Sequence, residues 1–196
     1  MKNSYIVLLI LIFPARSFAQ SSHQFGIVYG FAANELVRKD ELTGAASHDG
    51  KGASVIGLRY IKTLKNNFAF ETGLEYSRFK FSIAPAPHPA VEHTSRPENI
   101  ELLTVPIYGN YTFGKYFFLN GGLIADFELN KKENRSLDGQ SGLGAGLGIG
   151  GKYAFKRITL SVSPYFRKHA IFAADKEQYQ ERIIEAGVRF GAGYRF

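Results

Sequence analysis

From Ser141 to Gly151 the chain reads SGLGAGLGIGG, and this alternation of glycine with Leu143, Ala145, Leu147 and Ile149 restricts the fold more than any other stretch. Successive side chains of an extended segment point to opposite faces. Gly142, Gly144, Gly146, Gly148 and Gly150 therefore leave one face bare while the apolar residues cover the other. Gly146, Gly148 and Gly151 also satisfy the G-x-G-x-x-G spacing of a dinucleotide-binding loop. That chemistry needs a helix opening directly after the glycines, because its N-terminal donors hold the phosphate. Here Lys152 to Phe155 run instead into Lys156 and Arg157 and then the alternating ITLSVSPYF, a strand, a tight turn and another strand. The bare face needs a different explanation.

The same period of two recurs in Gln24 to Ala32, Gly52 to Lys62, Phe68 to Phe81, Ile100 to Phe113, Tyr116 to Leu129, Gly142 to Ala154, Ile158 to Phe172 and Arg182 to Phe196. Each segment suffices for the roughly 9–11 tilted residues that carry a strand across a hydrocarbon core. The connections TLKNN, FGK and FKR are short. Asn34 to Lys51, Ile83 to Asn99, Asn130 to Ser141 and Ala173 to Glu181 are long and follow the odd-numbered segments. An even strand count with short turns at one end and long loops at the other fits an outer-membrane barrel with its turns in the periplasm. The expected fold is all-β, an eight-stranded antiparallel up-and-down transmembrane β-barrel. A content of 21 glycines, 17 phenylalanines and 11 tyrosines against 7 prolines and no tryptophan suits such strands. The absence of cysteine excludes disulfides and thiolate metal sites.

The faces can be assigned from charge. Phe25, Ile27, Tyr29 and Phe31 oppose Gly26, Val28 and Gly30; Phe68, Phe70, Leu74 and Tyr76 oppose Glu71, Gly73 and Glu75; Leu119, Leu123 and Phe127 oppose Asn120, Gly122 and Asp126. An arginine facing lipid near the midplane costs about 2–4 kcal/mol, so the charged, glycine-bearing face must look inward. An eight-stranded barrel is just wide enough for side chains to fill, and glycines make room for long ionic ones. The expected lumen network is Arg59, Glu71, Glu75, Asp126, Lys152, Arg167, Glu185, Arg189 and Arg195. Buried ions must be paired and hydrogen-bonded, so the network should plug a polar interior and fix strand register. A narrow solute channel is the alternative reading of the same residues.

Lys2 precedes the apolar run YIVLLILIF, which is too short to span a bilayer as a helix and ends in PARSFAQ with small Ser17 and Ala19. The expectation is an export signal over residues 1–19 and a barrel domain over 20–196. Removing the signal discards Lys2 and Arg16 and no acid, which lowers the net charge of +7 by two. Such a charge favours anionic headgroups and specifies no nucleic-acid partner.

No cofactor, metal site or catalytic residue is assigned. Glu71 and Glu75 share a face, but acid–base work needs a substrate able to reach them. His169 follows Ser161 and Ser163, as a lipid-processing site at the rim would need, yet a rim histidine is more often an ordinary loop or interface residue. His88, Glu92 and His93, with His48 and Asp49, lack a zinc-binding spacing, and Pro89 opposes a helix there.

In FAFETGLEYSRF, in NIELLTVPIYGNYTFGKYFFLNGGLIADFEL with Pro106 between Val105 and Ile107, and in the closing GAGYRF, the chain resembles the PorT-like outer-membrane β-barrel proteins of Bacteroidetes, within the wider OmpA/OmpX-like type of eight-stranded barrel. The resemblance covers most of residues 20–196. Thr104 stands where such relatives often carry an acidic residue. The resemblance implies export, a monomeric barrel surrounded by outer-membrane lipid, and a link to protein secretion or gliding for some relatives. It also implies that Val188, Phe190, Tyr194 and Phe196 form the C-terminal signal read by the barrel-assembly machinery. Other envelope or secretion proteins are the expected partners of the long loops.

Overall fold

The computed structural model describes residues 22–38, 47–84, 95–131, 138–174 and 181–196. The export signal expected over 1–19 and the group His88, Glu92 and His93 lie outside the described residues. Eight strands, β1 (His23–Val37), β2 (Ser47–Thr63), β3 (Phe68–Ala84), β4 (Arg96–Phe113), β5 (Phe117–Glu128), β6 (Gly142–Phe155), β7 (Ile158–Ala173) and β8 (Arg182–Arg195), pair in chain order. β8 returns antiparallel to β1, from Arg195 opposite Gln24 to Arg182 opposite Val37, and closes the barrel. Closure gives every strand two neighbours, which satisfies the backbone where no water can.

Short connections join the strands at one end. Asn66 and Asn67 both take positive φ, 56° and 67°, as a tight hairpin turn of matching twist requires. The prolines sit where a ladder lapses. Pairing of β3 with β4 skips from Thr72–Ile107 to Glu75–Thr104 around Pro106, and pairing of β6 with β7 skips from Gly148–Tyr165 to Gly151–Val162 around Pro164. Proline has no N–H to donate at either place.

Along each strand the outward residues form an apolar band. Phe25, Ile27, Tyr29, Ile56, Leu58, Leu123, Leu147 and Phe190 all present broad surface to the outside. Toward the long-loop end the pattern inverts. On β3, Arg78 and Lys80 point outward while Phe79, Phe81 and Ile83 turn in, 0–4% exposed. On β4, Glu101 points outward and Ile100 and Leu102 turn in. The wall above the band is therefore built like a soluble barrel, apolar inside and polar outside.

This inversion corrects two expectations. β1 to β4 continue well into the stretches Asn34 to Lys51 and Ile83 to Asn99, which the sequence assigned to loops. A search for greasy-out alternation ends where the greasy face moves inward. Nor is the interior polar throughout. Phe79, Phe81, Ile83, Ile100, Leu102 and Ile183 form one buried apolar cluster with Ala32, Ala53 and Tyr165 near the long-loop end.

The glycines of β6 answer the question their alternation raises. A side chain on Gly146 would run into the Tyr108 hydroxyl and the Arg167 stem, and one on Gly148 would lie 2.7 Å from Asn120 Oδ1. Large side chains of β4, β5 and β7 fill the volume these glycines leave empty. Gly146→Val should cost about 1–3 kcal/mol by overpacking. Gly151→Ala, with nothing within 4 Å of the new methyl, should stay within about 0.5 kcal/mol of the parent. Urea unfolding in detergent micelles, followed by the heat-modifiable gel shift of a folded barrel, measures both.

Candidate functional site

The lumen has three levels, and the middle one holds most of the charge. β3 contributes Glu71 and Glu75, β7 Arg167 and His169, β8 Glu185 and Arg189, β5 Asp126 and β2 Arg59. Glu75 lies between two guanidinium groups, with Arg167 Nη2 at 2.6 Å from Oε2 and Arg189 Nη1 at 3.2 Å from Oε1. Arg167 Nη1 also reaches Glu185 Oε1 at 3.6 Å, and Arg59 Nε reaches Glu71 Oε1 at 3.6 Å. Asn110 and Asn120 both donate to Glu71 Oε2, at 2.9 and 3.1 Å. Thr104 donates to Asp126 at 2.7 Å, so this departure from the acidic residue common among the resembling proteins supports a neighbouring acid.

Tyrosine rings line the arginines. The Arg167 guanidinium lies 5.9 and 5.3 Å from the Tyr108 and Tyr165 centroids, and that of Arg189 lies 4.5 Å from Tyr165. Arg167 Nε donates to the Tyr108 hydroxyl, and the Tyr165 hydroxyl donates to Glu185. Such desolvated ions persist because Glu71, Asp126 and Glu185 each meet a basic side chain and a neutral donor together, while Glu75 lies between two guanidiniums.

His169 belongs to this layer rather than to the rim. It is fully buried, with Nδ1 3.0 Å from Asp126 Oδ2 and Nε2 3.2 Å from Glu185 Oε1. Two carboxylates on the two ring nitrogens suit a doubly protonated imidazole and leave no lone pair to activate a nucleophile. Ala170, at φ 44°, is buried beside it, so the strand turns two consecutive side chains inward. His169 keeps the inward face of Ser163, Tyr165 and Arg167, and the two-residue period breaks only after it. Tyr108, Asn110, Asn120 and Tyr165 carried a readable signal, since all occupy inward positions of their strands.

Lys152 and Arg195 do not join the ionic layer. Lys152 donates to Thr112 Oγ1 at 2.6 Å and Arg195 to Thr159 Oγ1 at 3.5 Å, and neither forms an ion pair with a described residue. Both line a cavity of about 410 Å³ at the short-turn end, together with Arg59 and Lys115. The expected single network is thus split between a paired core and an open, positively charged vestibule. The reason is depth: Lys152 and Arg195 stand near the strand ends, below the level of the acids.

Above the apolar cluster a polar knot ties the roots of the long loops. Arg38 Nε meets Glu181 Oε1 at 2.6 Å; the Asp138 carboxylate accepts the Glu181 amide, and Gln140 donates to the carbonyls of Asp138 and Glu181 and accepts the Ile183 amide. Arg38 also contacts His48 Nδ1 at 2.7 Å. Burial holds the His48 imidazole below its ordinary value; nearby Glu181 and Asp49 oppose this and Arg38 reinforces it. Among the described residues no group of three or more His, Asp or Glu side chains is placed to hold a metal ion.

On β8, Phe190, Tyr194 and the following Phe196 face outward, with half-buried Val188 in the same row. Phe190 stands opposite Tyr29, and the Phe196 ring lies 5.7 Å from that of Phe25.

The family described as outer membrane protein beta-barrel domain matches residues 5–196. Among solved structures, the crystal structure of the outer membrane protein OprG from Pseudomonas aeruginosa aligns with a TM-score of 0.53 and 13% identity, over 90% of this chain and 96% of that one. The N-terminal β-barrel domain of Pseudomonas aeruginosa OprF aligns at 0.47 and 16% identity, over 90% and 97%. The outer membrane protein AlkL in lipid bilayers aligns at 0.49 and 14%, over 94% and 95%. The likeness to OprG is one of fold. No curated protein matches the chain.

Removing the carboxylate shared by Arg167 and Arg189 leaves two buried guanidiniums short of charge, so Glu75→Ala should cost about 3–5 kcal/mol. Glu101→Ala removes a partly exposed 3.9 Å contact with Arg78 and a hydrogen bond with the Tyr76 hydroxyl on the outer face, so it should cost about 0–1 kcal/mol. Equilibrium unfolding in micelles separates the two. The His48 contribution has a definite sign. Its depressed folded pKa favours the neutral ring, so stability is complete above the ordinary value of about 6.5 and declines as pH falls toward the folded value. Amide exchange at Gln140 and Ile183 should accelerate over that interval in the parent and not in His48→Gln.

Proposed function

The chain belongs to the outer membrane protein β-barrel domain family, and from that membership we propose a non-conducting scaffold that holds four loops at the cell surface for contact with another envelope component. Outer-membrane barrels keep their short turns in the periplasm and their longer loops outside. The loops rooted at Val37, Ala84, Glu128 and Ala173 then face the exterior. The observation that carries the proposal is the closed upper lumen. Phe79, Phe81, Ile100, Leu102 and Ile183 fill it at 0–1% exposure, below the knot formed by Glu181, Gln140 and Asp138. A narrow channel would have to displace both levels.

The same knot supports an interactive role. It joins the roots of the first, third and fourth long connections, so the loops begin from a fixed base. Functional residues are often carried on loops positioned by a rigid scaffold. The resemblance of ETGLEYS, of Pro106 with its neighbours and of FFLNGG to PorT-like proteins supports a partner in protein secretion or gliding. Removal of residues 1–19 on export, recognition of Val188, Phe190, Tyr194 and Phe196 by the assembly machinery, and a monomeric state in outer-membrane lipid complete the reading. Closure of β1 against β8 supports the monomer, because no unpaired edge remains to recruit a second copy.

Two measurements test this. The purified barrel in planar bilayers should give no sustained conductance steps, and regular steps would contradict the scaffold reading. Deleting residues 85–94 should preserve insertion and the heat-modifiable gel shift while abolishing cross-linking to a partner in intact envelopes. Undiminished cross-linking after all four loops are shortened would contradict the interactive role.

A further inference from the structure

Charge is distributed very unevenly along the barrel axis. The short-turn end carries Arg59, Lys62, Lys65, Lys115, Lys152, Lys156, Arg157 and Arg195, and among the described residues its one acidic side chain is Glu71. The other ten described Asp and Glu residues lie at the level of Glu75 or beyond it, toward the long loops.

Four of these cations, Arg59, Lys115, Lys152 and Arg195, border the 410 Å³ cavity. Glu71 is engaged below its floor by Arg59, Asn110 and Asn120. Lys152 and Arg195 are half-buried and meet only the hydroxyls of Thr112 and Thr159 among the described residues. The Arg59 guanidinium reaches past β1 toward β8, 3.4 Å from where a Cβ on Gly191 would stand. Like charges gathered in a partly desolvated space repel one another, and an entering anion relieves that repulsion. A single carboxylate would neutralise one of them. A phosphate presents several acceptor oxygens and up to two charges, which suits a ring of ammonium, guanidinium and hydroxyl groups.

We propose that this vestibule, open to the periplasm, is a binding site for a phosphate-bearing anion, held by Lys152 and Arg195 with Arg59, Lys115, Thr112 and Thr159 around it. The phosphate comes either from a free anion or from a lipid headgroup of the adjoining leaflet. The site is independent of what the external loops contact, because the ionic layer and the apolar cluster separate the two ends.

The test uses the full barrel in nonionic detergent, titrated with inorganic phosphate and followed by calorimetry and amide NMR. One saturable event should shift the Thr112 and Thr159 signals and leave that of Lys156, at a turn tip outside the cavity lining, unmoved. The double variant Lys152→Gln/Arg195→Gln should bind at least about tenfold more weakly, while Lys152→Arg stays within about threefold. The control Lys65→Gln/Lys156→Gln, which removes as much charge from the turn tips, should bind like the parent. In nanodiscs, weaker apparent phosphate affinity on adding phosphatidylglycerol to phosphatidylcholine identifies the headgroup as a source, and unchanged affinity identifies the free anion. Non-saturable shifts, or equal loss in the turn-tip and cavity variants, would overturn the site in favour of diffuse attraction. The wild-type shift pattern decides the matter even where the double variant fails to fold.

Discussion

Eight strands closed on themselves enclose so little space that each inward side chain must find a partner of complementary size across the lumen. Everything else in this molecule follows from that restriction. Glycines on β6 stand where Tyr108, Asn120 and Arg167 reach across. Charges that cannot retreat to water meet each other instead: Glu75 between Arg167 and Arg189, and His169 between Asp126 and Glu185. Closure also fixes register, because a slip of one residue would send every one of these groups into the apolar surroundings.

The second organising fact is that the barrel is taller than its apolar band. Within the band, grease faces outward and ions face inward. Above it, Phe79, Phe81, Ile83 and Leu102 take the interior while Arg78, Lys80 and Glu101 take the outside. The ordinary hydrophobic effect can then stabilise the upper wall, where water bathes the exterior. The lower end has neither an apolar filling nor enough acids, and it opens as a cationic vestibule. A sealed, firmly rooted upper end and an open, charged lower end give one scaffold two distinct chemical faces.

The strand number, the pairing order and the facing of Phe25, Glu71, Leu147 and Phe190 were legible in the sequence because a two-residue period survives any change in neighbours. The upper strand ends were not, since beyond Ala32 and Phe81 and before Gly52 and Ile100 no apolar outward face marks the wall. His169 was read as a rim residue because alternation gives its inward face and not its depth along the axis. Which charges pair was also hidden. Alternation assigns a side chain to a face, whereas pairing depends on height along the axis, and height follows from register. Arg167 and Lys152 both look inward, yet only Arg167 stands level with Glu75 and Glu185.

The central claim is the reversal of inside and outside along single strands, and paramagnetic lipid in nanodiscs tests it most directly. Relaxation enhancement of methyl signals should be strong at Ile27, Leu58 and Leu147 and absent at Ile83, Ile100, Leu102 and Ile183, with a water-soluble relaxation agent acting on Arg78 and Lys80. Strong enhancement by lipid at Ile100 and Leu102, or protection of Leu58 and Leu147, would contradict it.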